Sequence, residues 1–174
     1  IWGNHERFVD DYLERFPGYY VSGDGGYIDD DGYVFVMGRI DDVINVAGHR
    51  LSTGEMEEIV ANHPAVAECT VFGINDSLKG EVPLGMVLIK DGIDIDEETL
   101  NNELKAMVRK KIGAIACYNK TLIVTRLPKT RSGKILRRVL RQIAAGEEYT
   151  VPSTIDDPAS LAELESVIKD HDIN

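Results

Sequence analysis

The chain has 174 residues, 43% of them hydrophobic and 28% charged, a globular balance with room for one ordinary domain and part of another. No apolar run nears the roughly 20 residues that span a bilayer, no signal-peptide pattern is present, and Cys69 and Cys117 are too few and too far apart for a metal or redox motif. The net charge of −11 conceals an asymmetry: residues 105–141 hold 12 basic side chains and no acidic one. Such an island points to an anionic partner met at one place, against the plainer alternative of a solvated helix face. Both cysteines read as small core residues in a reducing compartment, and a chain opening on Ile1 is expected to be a piece of something longer.

In chain order, residues 19–40 read as a β-hairpin turning at "DDDG", because Asp and Gly tolerate the required backbone angles. "IDDVINVAGHRL" is a short apolar alternation closed by Gly48, and "STGEMEEIVANHP" is a helix with a Ser52–Glu55 capping box and a stop at Pro64. "AVAECTVFGI" and "VPLGMVLIK" are strands rich in β-branched residues. "DIDEETLNNELKAMVRKKIG" is a helix with acids first and bases last, followed by the strand "KTLIVTRLP". "SGKILRRVLRQIAAG" is expected to be a final helix, with Lys134 in its first turn and Arg137, Arg138 and Arg141 largely outward. The order predicts an α+β domain, a mixed sheet packed with about three helices. The boundaries fall at 1–40 for the edge of a preceding domain, 41–42 for a joint, 43–148 for the domain, and 149–174 for a tail docked weakly or mobile.

Three patches could carry chemistry. In "SGDGG", Asp24 is an acceptor-only carboxylate among small residues, able to take both hydroxyls of a ribose diol; a plain turn-capping Asp reads equally well. In "GRIDDVINVAGHRL", Arg39 and Arg50 flank Asp41 and Asp42; guanidinium forks match phosphate oxygens, although surface ion pairs give the same pattern. In "LPKTRSGKILRRVLRQ", Gly133-Lys134 is not a Walker loop, because Ile135 stands where Ser or Thr would hold magnesium. A lysine at a helix start opposes the helix dipole, which suggests that it is kept for a ligand.

"YYVSGDGGYIDDDGYVFVMGRIDDVINVAGHRLSTGEMEEIV" followed by "LPKTRSGKILRRVLRQIAAG" resembles the C-terminal part of adenylate-forming acyl-CoA synthetases, especially the acetyl-CoA and propionyl-CoA branch. The resemblance covers nearly the whole chain. It implies the small mobile C-terminal domain of an enzyme that joins a short carboxylate (acetate or propionate) to ATP, then passes the acyl group to coenzyme A. Position by position, it implies that Lys134 is the adenylation lysine and a site of reversible acylation, with a lysine acyltransferase and deacylase as partners. Asp41 matches the hinge, and Asp24, Arg39 and Arg50 match nucleotide-binding residues. Ala47 and Gly48 match the edge of the coenzyme A tunnel, Ala47 replacing the serine of some relatives, and Arg109 matches a contact to the nucleotide end of coenzyme A. In some relatives the segment matching "ANHPAV" binds magnesium, which would fall on Ala61, His63 and Val66; a His-Pro at a helix end is also a plain cap.

The resemblance implies ATP/AMP, coenzyme A and ATP-bound Mg2+ as cofactors, the enzyme's own N-terminal domain as partner, and a cytoplasmic or mitochondrial-matrix location. No "TSGTTGKPK"-like phosphate loop appears, so the chain alone is expected to be inactive. The alternatives are the lid of a peptide-synthetase or luciferase-type adenylation domain, or an anion-binding module. A nucleic-acid binder would need aromatic interleaving, and 105–141 offers only Tyr118; neither nucleic acid nor membrane is an expected partner.

Overall fold

Two units divide the chain, Ile1–Asp42 and Val43–Asn174. The computed structural model describes residues 2–40, 42–171 and 173, the Met37 side chain excepted. In the first unit, helix α1 (His5–Val9) is capped by Asn4, whose side chain accepts the Arg7 N–H, and runs on into a π-helical turn over Asp10–Glu14. Strands β1 (Asp24–Ile28) and β2 (Val34–Arg39) form the antiparallel hairpin. Asp29 organises its turn, its carboxylate accepting the N–H groups of Asp31 and Tyr33. No described residue of this unit is buried, so it has no core of its own.

The second unit is built on two long antiparallel strands, β5 (Val66–Asp76) and β6 (Gly80–Ile89). On its other edge β6 meets β3 (Val43–Val46) at Gly80 and, farther along, the parallel strand β7 (Lys120–Ile123) from Leu84 to Val87. Strand β4 (His49–Ser52) pairs with β3, so the alternation closed by Gly48 folds into a hairpin over residues 43–52. Strand alternation sends Phe72, Leu84, Met86 and Leu122 to one face and Val71 and Val87 to the other. Helices α2 (Thr53–Ala61) and α3 (Glu97–Lys111) cover the second face with Met56, Ile59, Val60, Leu100, Leu104 and Val108. Each such side chain, fully buried, is worth about 1.5–3 kcal/mol.

Two caps set the helix starts as their sequences require. The Ser52 hydroxyl accepts the Glu55 N–H at 3.3 Å, and the Asp96 carboxylate accepts the Thr99 N–H at 2.8 Å. The first face is covered by α4 (Arg137–Ala144) and by α5 (Ala159–Asp170). The weakly docked or mobile tail expected over 149–174 is therefore a misreading, since Leu161, Leu164 and Ile168 of α5 are each at most 2% exposed. Eight-residue α4 is too short to cover its sheet face, and the apolar stripe of α5 completes the layer. Tight packing fixes β6 as well: a Cβ at Gly85 would lie 2.0 Å from the Tyr118 hydroxyl oxygen.

Candidate functional site

Lys134 does not sit in a helix. The helix expected from Ser132 begins only at Arg137, and the preceding residues fold back as a small hairpin in which Lys129 pairs with Ile135. Inside it, Thr130 N–H donates to the Lys134 carbonyl at 2.8 Å, and Gly133 N–H donates to the Thr130 carbonyl at 2.8 Å. Gly133 adopts φ 83°, the left-handed residue that a three-residue loop of this kind needs. The Thr130 hydroxyl accepts the Lys134 N–H at 3.1 Å. The helix-dipole argument for Lys134 thus fails in its premise, while the lysine remains conspicuous: its side chain is exposed and meets no ionic partner among the described residues.

Much of the rest of the basic island is spoken for. Lys129 pairs with Glu68, Arg126 with Asp157 and Glu163, and the Lys120 ammonium donates to the His171 carbonyl at 2.5 Å. Arg137, expected to face outward, reaches across the edge strand β5 to Glu57 on α2, donating twice at 3.0 and 2.7 Å. Glu57 also accepts the Thr70 hydroxyl and the Val71 N–H, at 2.9 and 2.8 Å. One carboxylate therefore takes up an open N–H on the edge of β5 and ties together the helices on opposite faces of the sheet. Burial, with Glu57 and Glu68 nearby, pushes the adjacent Cys69 thiol up to about 11, as suits a half-buried, unreactive thiol. Nothing in the sequence signals this pair, because Glu57 looks like any acid on a helix surface and its partner lies 80 residues away.

Ala47 and Gly48 form the β3–β4 turn, both left-handed at φ 49° and 87°, and both exposed. The turn is held by Ala47 N–H donating to the Lys79 carbonyl at 2.7 Å and Asn45 N–H donating to the Glu81 carboxylate at 2.7 Å. Arg50 lies across from Asn45 on the same hairpin, exposed. Arg109, in the last turn of α3, lines a hollow of about 50 Å3 with Lys105, Cys117 and Asn119. In the first unit, hairpin register sets Asp24 opposite Arg39, whose guanidinium lies 4.0 Å from the Asp24 carboxylate and donates to the Ser22 carbonyl at 2.8 Å. Gly23 suits the place by its left-handed backbone, at φ 79°. Asp41 lies outside the described residues.

His63 does not fit a metal as it stands. Its Nδ1 accepts the Ala65 N–H at 3.2 Å, so Nε2 carries the proton and donates to Glu103 at 2.7 Å. The ring clasps α2 to α3 and leaves no lone pair free, and among the described residues no three His, Cys, Asp or Glu side chains gather as a metal site.

Residues 55–134 match the profile of the AMP-binding enzyme C-terminal domain, the match ending on Lys134. Over those residues the chain is similar to the AMP-binding enzyme C-terminal domain. It is 62% identical over 169 residues to the uncharacterized protein PA3568 of Pseudomonas aeruginosa, covering 97% of this chain and 27% of that protein. It is 50% identical over 165 residues to a Dictyostelium discoideum protein named acyl-CoA synthetase short-chain family member B, mitochondrial, covering 95% of this chain and 24% of that protein. The crystal structure of ATP-bound MatB from Rhodopseudomonas palustris superposes with a TM-score of 0.67 at 26% identity, over 81% of this chain and 27% of that one. The chain thus spans about a quarter of the length of the curated relatives it matches. Lys134, Arg109 and His63 fall inside the matched stretch, whereas Ala47, Gly48 and Arg50 precede it. No helix of the described chain is long and apolar enough to cross a membrane.

Proposed function

We propose that this chain is the mobile C-terminal part of an AMP-forming short-chain acyl-CoA synthetase, and that Lys134 serves its first half-reaction. The observation that carries this reading is an exposed lysine with no ionic partner among the described residues, beside the loop of a fixed hairpin whose flanking cations Lys129 and Arg137 are each held by an acid. In that half-reaction a carboxylate oxygen of acetate or propionate attacks the α-phosphorus of ATP and pyrophosphate leaves. Negative charge concentrates on the transferring group, and a compact ammonium offsets it. In the second, the thiol of coenzyme A attacks the acyl carbonyl and AMP departs, a step for which the lysine must be withdrawn. Asp24 and Arg39 would hold the ribose and nucleotide, Asp41 would serve as the hinge, and Arg50 would meet phosphate. Ala47, Gly48 and Arg109 would line the path of coenzyme A. The large N-terminal domain would supply the acyl pocket and the ATP-bound magnesium, in the cytoplasm or the mitochondrial matrix.

Acylation of Lys134 by a lysine acyltransferase would delete the cation and silence adenylation until a deacylase restored it. The test is Lys134→Ala in the full-length enzyme. ATP–pyrophosphate exchange should fall by about 10²–10³, while thioester formation from supplied acyl-adenylate persists. Equal loss of both steps would sink the assignment.

A further inference from the structure

We propose that the segment 153–156, a turn closed by the Ile155 N–H on the Pro152 carbonyl at 3.0 Å, is a positioning element for Lys134, laid as a strap along the lysine hairpin; the inference rests on the adenylation reading of that residue. The hairpin alone is slight, one bridging pair and a three-residue loop, and two-stranded hairpins of this size are marginal in water. Its outer strand is completed by the chain's later segment. Thr130 bridges Ile155, Arg131 N–H donates to the Thr154 carbonyl at 3.0 Å, and Asp156 N–H donates to the Lys129 carbonyl at 2.9 Å. The Arg131 guanidinium adds a bond to the Ser153 carbonyl at 2.8 Å.

The strap is itself anchored. Ile155 is 7% exposed and belongs to the core under α4 and α5. Asp157, the next residue but one, accepts the Ala159 N–H at 2.9 Å and, with Glu163 of α5, grips Arg126. Position therefore passes from the α5 core through 153–156 to the backbone of 129–131, and so to Lys134. A lysine ends a flexible four-carbon stem, so the protein sets where the ammonium can reach by fixing its backbone. A displacement of about 1 Å in a reacting group costs on the order of 10²-fold in rate. The Asp156 side chain makes no hydrogen bond or ion pair among the described contacts; only its N–H is used.

That separation of backbone from side chain supplies the test. In the full-length enzyme, Asp156→Pro removes the N–H donor and Asp156→Ala keeps it. Asp156→Pro should lower the kcat of ATP–pyrophosphate exchange at least about tenfold. The KM for ATP and thioester formation from supplied acyl-adenylate should stay within about twofold, and Asp156→Ala should change nothing. Unchanged exchange, or a parallel fall in both half-reactions, overturns the proposal. Lys134→Ala run alongside separates the two ideas. Exchange surviving in Lys134→Ala defeats the adenylation reading, whereas its loss there with an unaltered Asp156→Pro defeats the strap alone. Should Asp156→Pro not fold, hydrogen exchange by mass spectrometry on the wild-type enzyme decides. Peptides over 129–134 and 153–157 should open together and slowly, and rapid exchange at 129–134 beside a protected 153–157 overturns the proposal.

Discussion

Two hairpins of the second unit carry candidate residues, and they are built oppositely. The turn at Ala47-Gly48 presents backbone: both residues are exposed and left-handed, and two bonds, to Lys79 and Glu81, hold it at the mouth of β6. The loop at Arg131–Gly133 presents a side chain, and support surrounds it. The 153–156 strap lies on its outer edge, Lys129 pairs with Glu68, and Arg137 is tied to Glu57 just beyond it. The contrast follows from reach. A backbone edge is placed by its own strand pair, whereas the head of a lysine lies four methylenes from its backbone and is placed only as well as that backbone. The loss of exchange in Lys134→Ala is the largest effect that this contrast implies, and the Asp156→Pro test asks how much of it depends on support alone.

The next largest effect breaks the support from the side of α4. Glu57→Ala removes the carboxylate that Arg137, the Val71 N–H and the Thr70 hydroxyl share, in a site where the Glu57 and Arg137 side chains are 16% and 26% exposed. Breaking one side of a mostly buried pair should cost about 2–4 kcal/mol. Urea unfolding checks this, as a lowered midpoint at unchanged slope. Gly48→Ala, at the weakly supported turn, should cost only about 1 kcal/mol. Its added Cβ meets nothing within 4 Å, so the penalty is that of a left-handed alanine alone.

The sheet and the helices α2 and α3 were legible because their signals are local: β-branched runs in β5 and β6, the Ser52–Glu55 capping box of α2, and acids first and bases last in α3. The surroundings of Lys134 were not. "SGKILRRVL" has helical periodicity, but Thr130 and Gly133 close a loop first, and the helix waits until Arg137. The strap and the Glu57–Arg137 pair join residues 25 and 80 positions apart, at Thr130–Ile155 and Glu57–Arg137, and one sequence carries no signal of such pairing. The basic island misled for the same reason, since the acids that neutralise Lys129, Arg126 and Arg137 lie in other segments. Candidate residues were found by resemblance, and what fixes them in place became visible only in three dimensions.

The smallest expected effect tests the other hairpin and has the opposite sign. Ala47 holds φ 49°, which costs an L-residue with a Cβ roughly 1–2 kcal/mol. Replacing it by glycine removes that cost but adds about 0.5–1 kcal/mol of chain entropy to be lost on folding. The difference favours Ala47→Gly by about 0.5 kcal/mol, seen as a slightly raised urea midpoint. If the turn serves as a backbone edge along the path of coenzyme A, the same change should leave ATP–pyrophosphate exchange untouched and alter, if anything, only the KM for coenzyme A. A fall in exchange would mean that this turn and the lysine hairpin are not separate devices, because a loosened backbone at 47–48 would then be reaching the adenylation step.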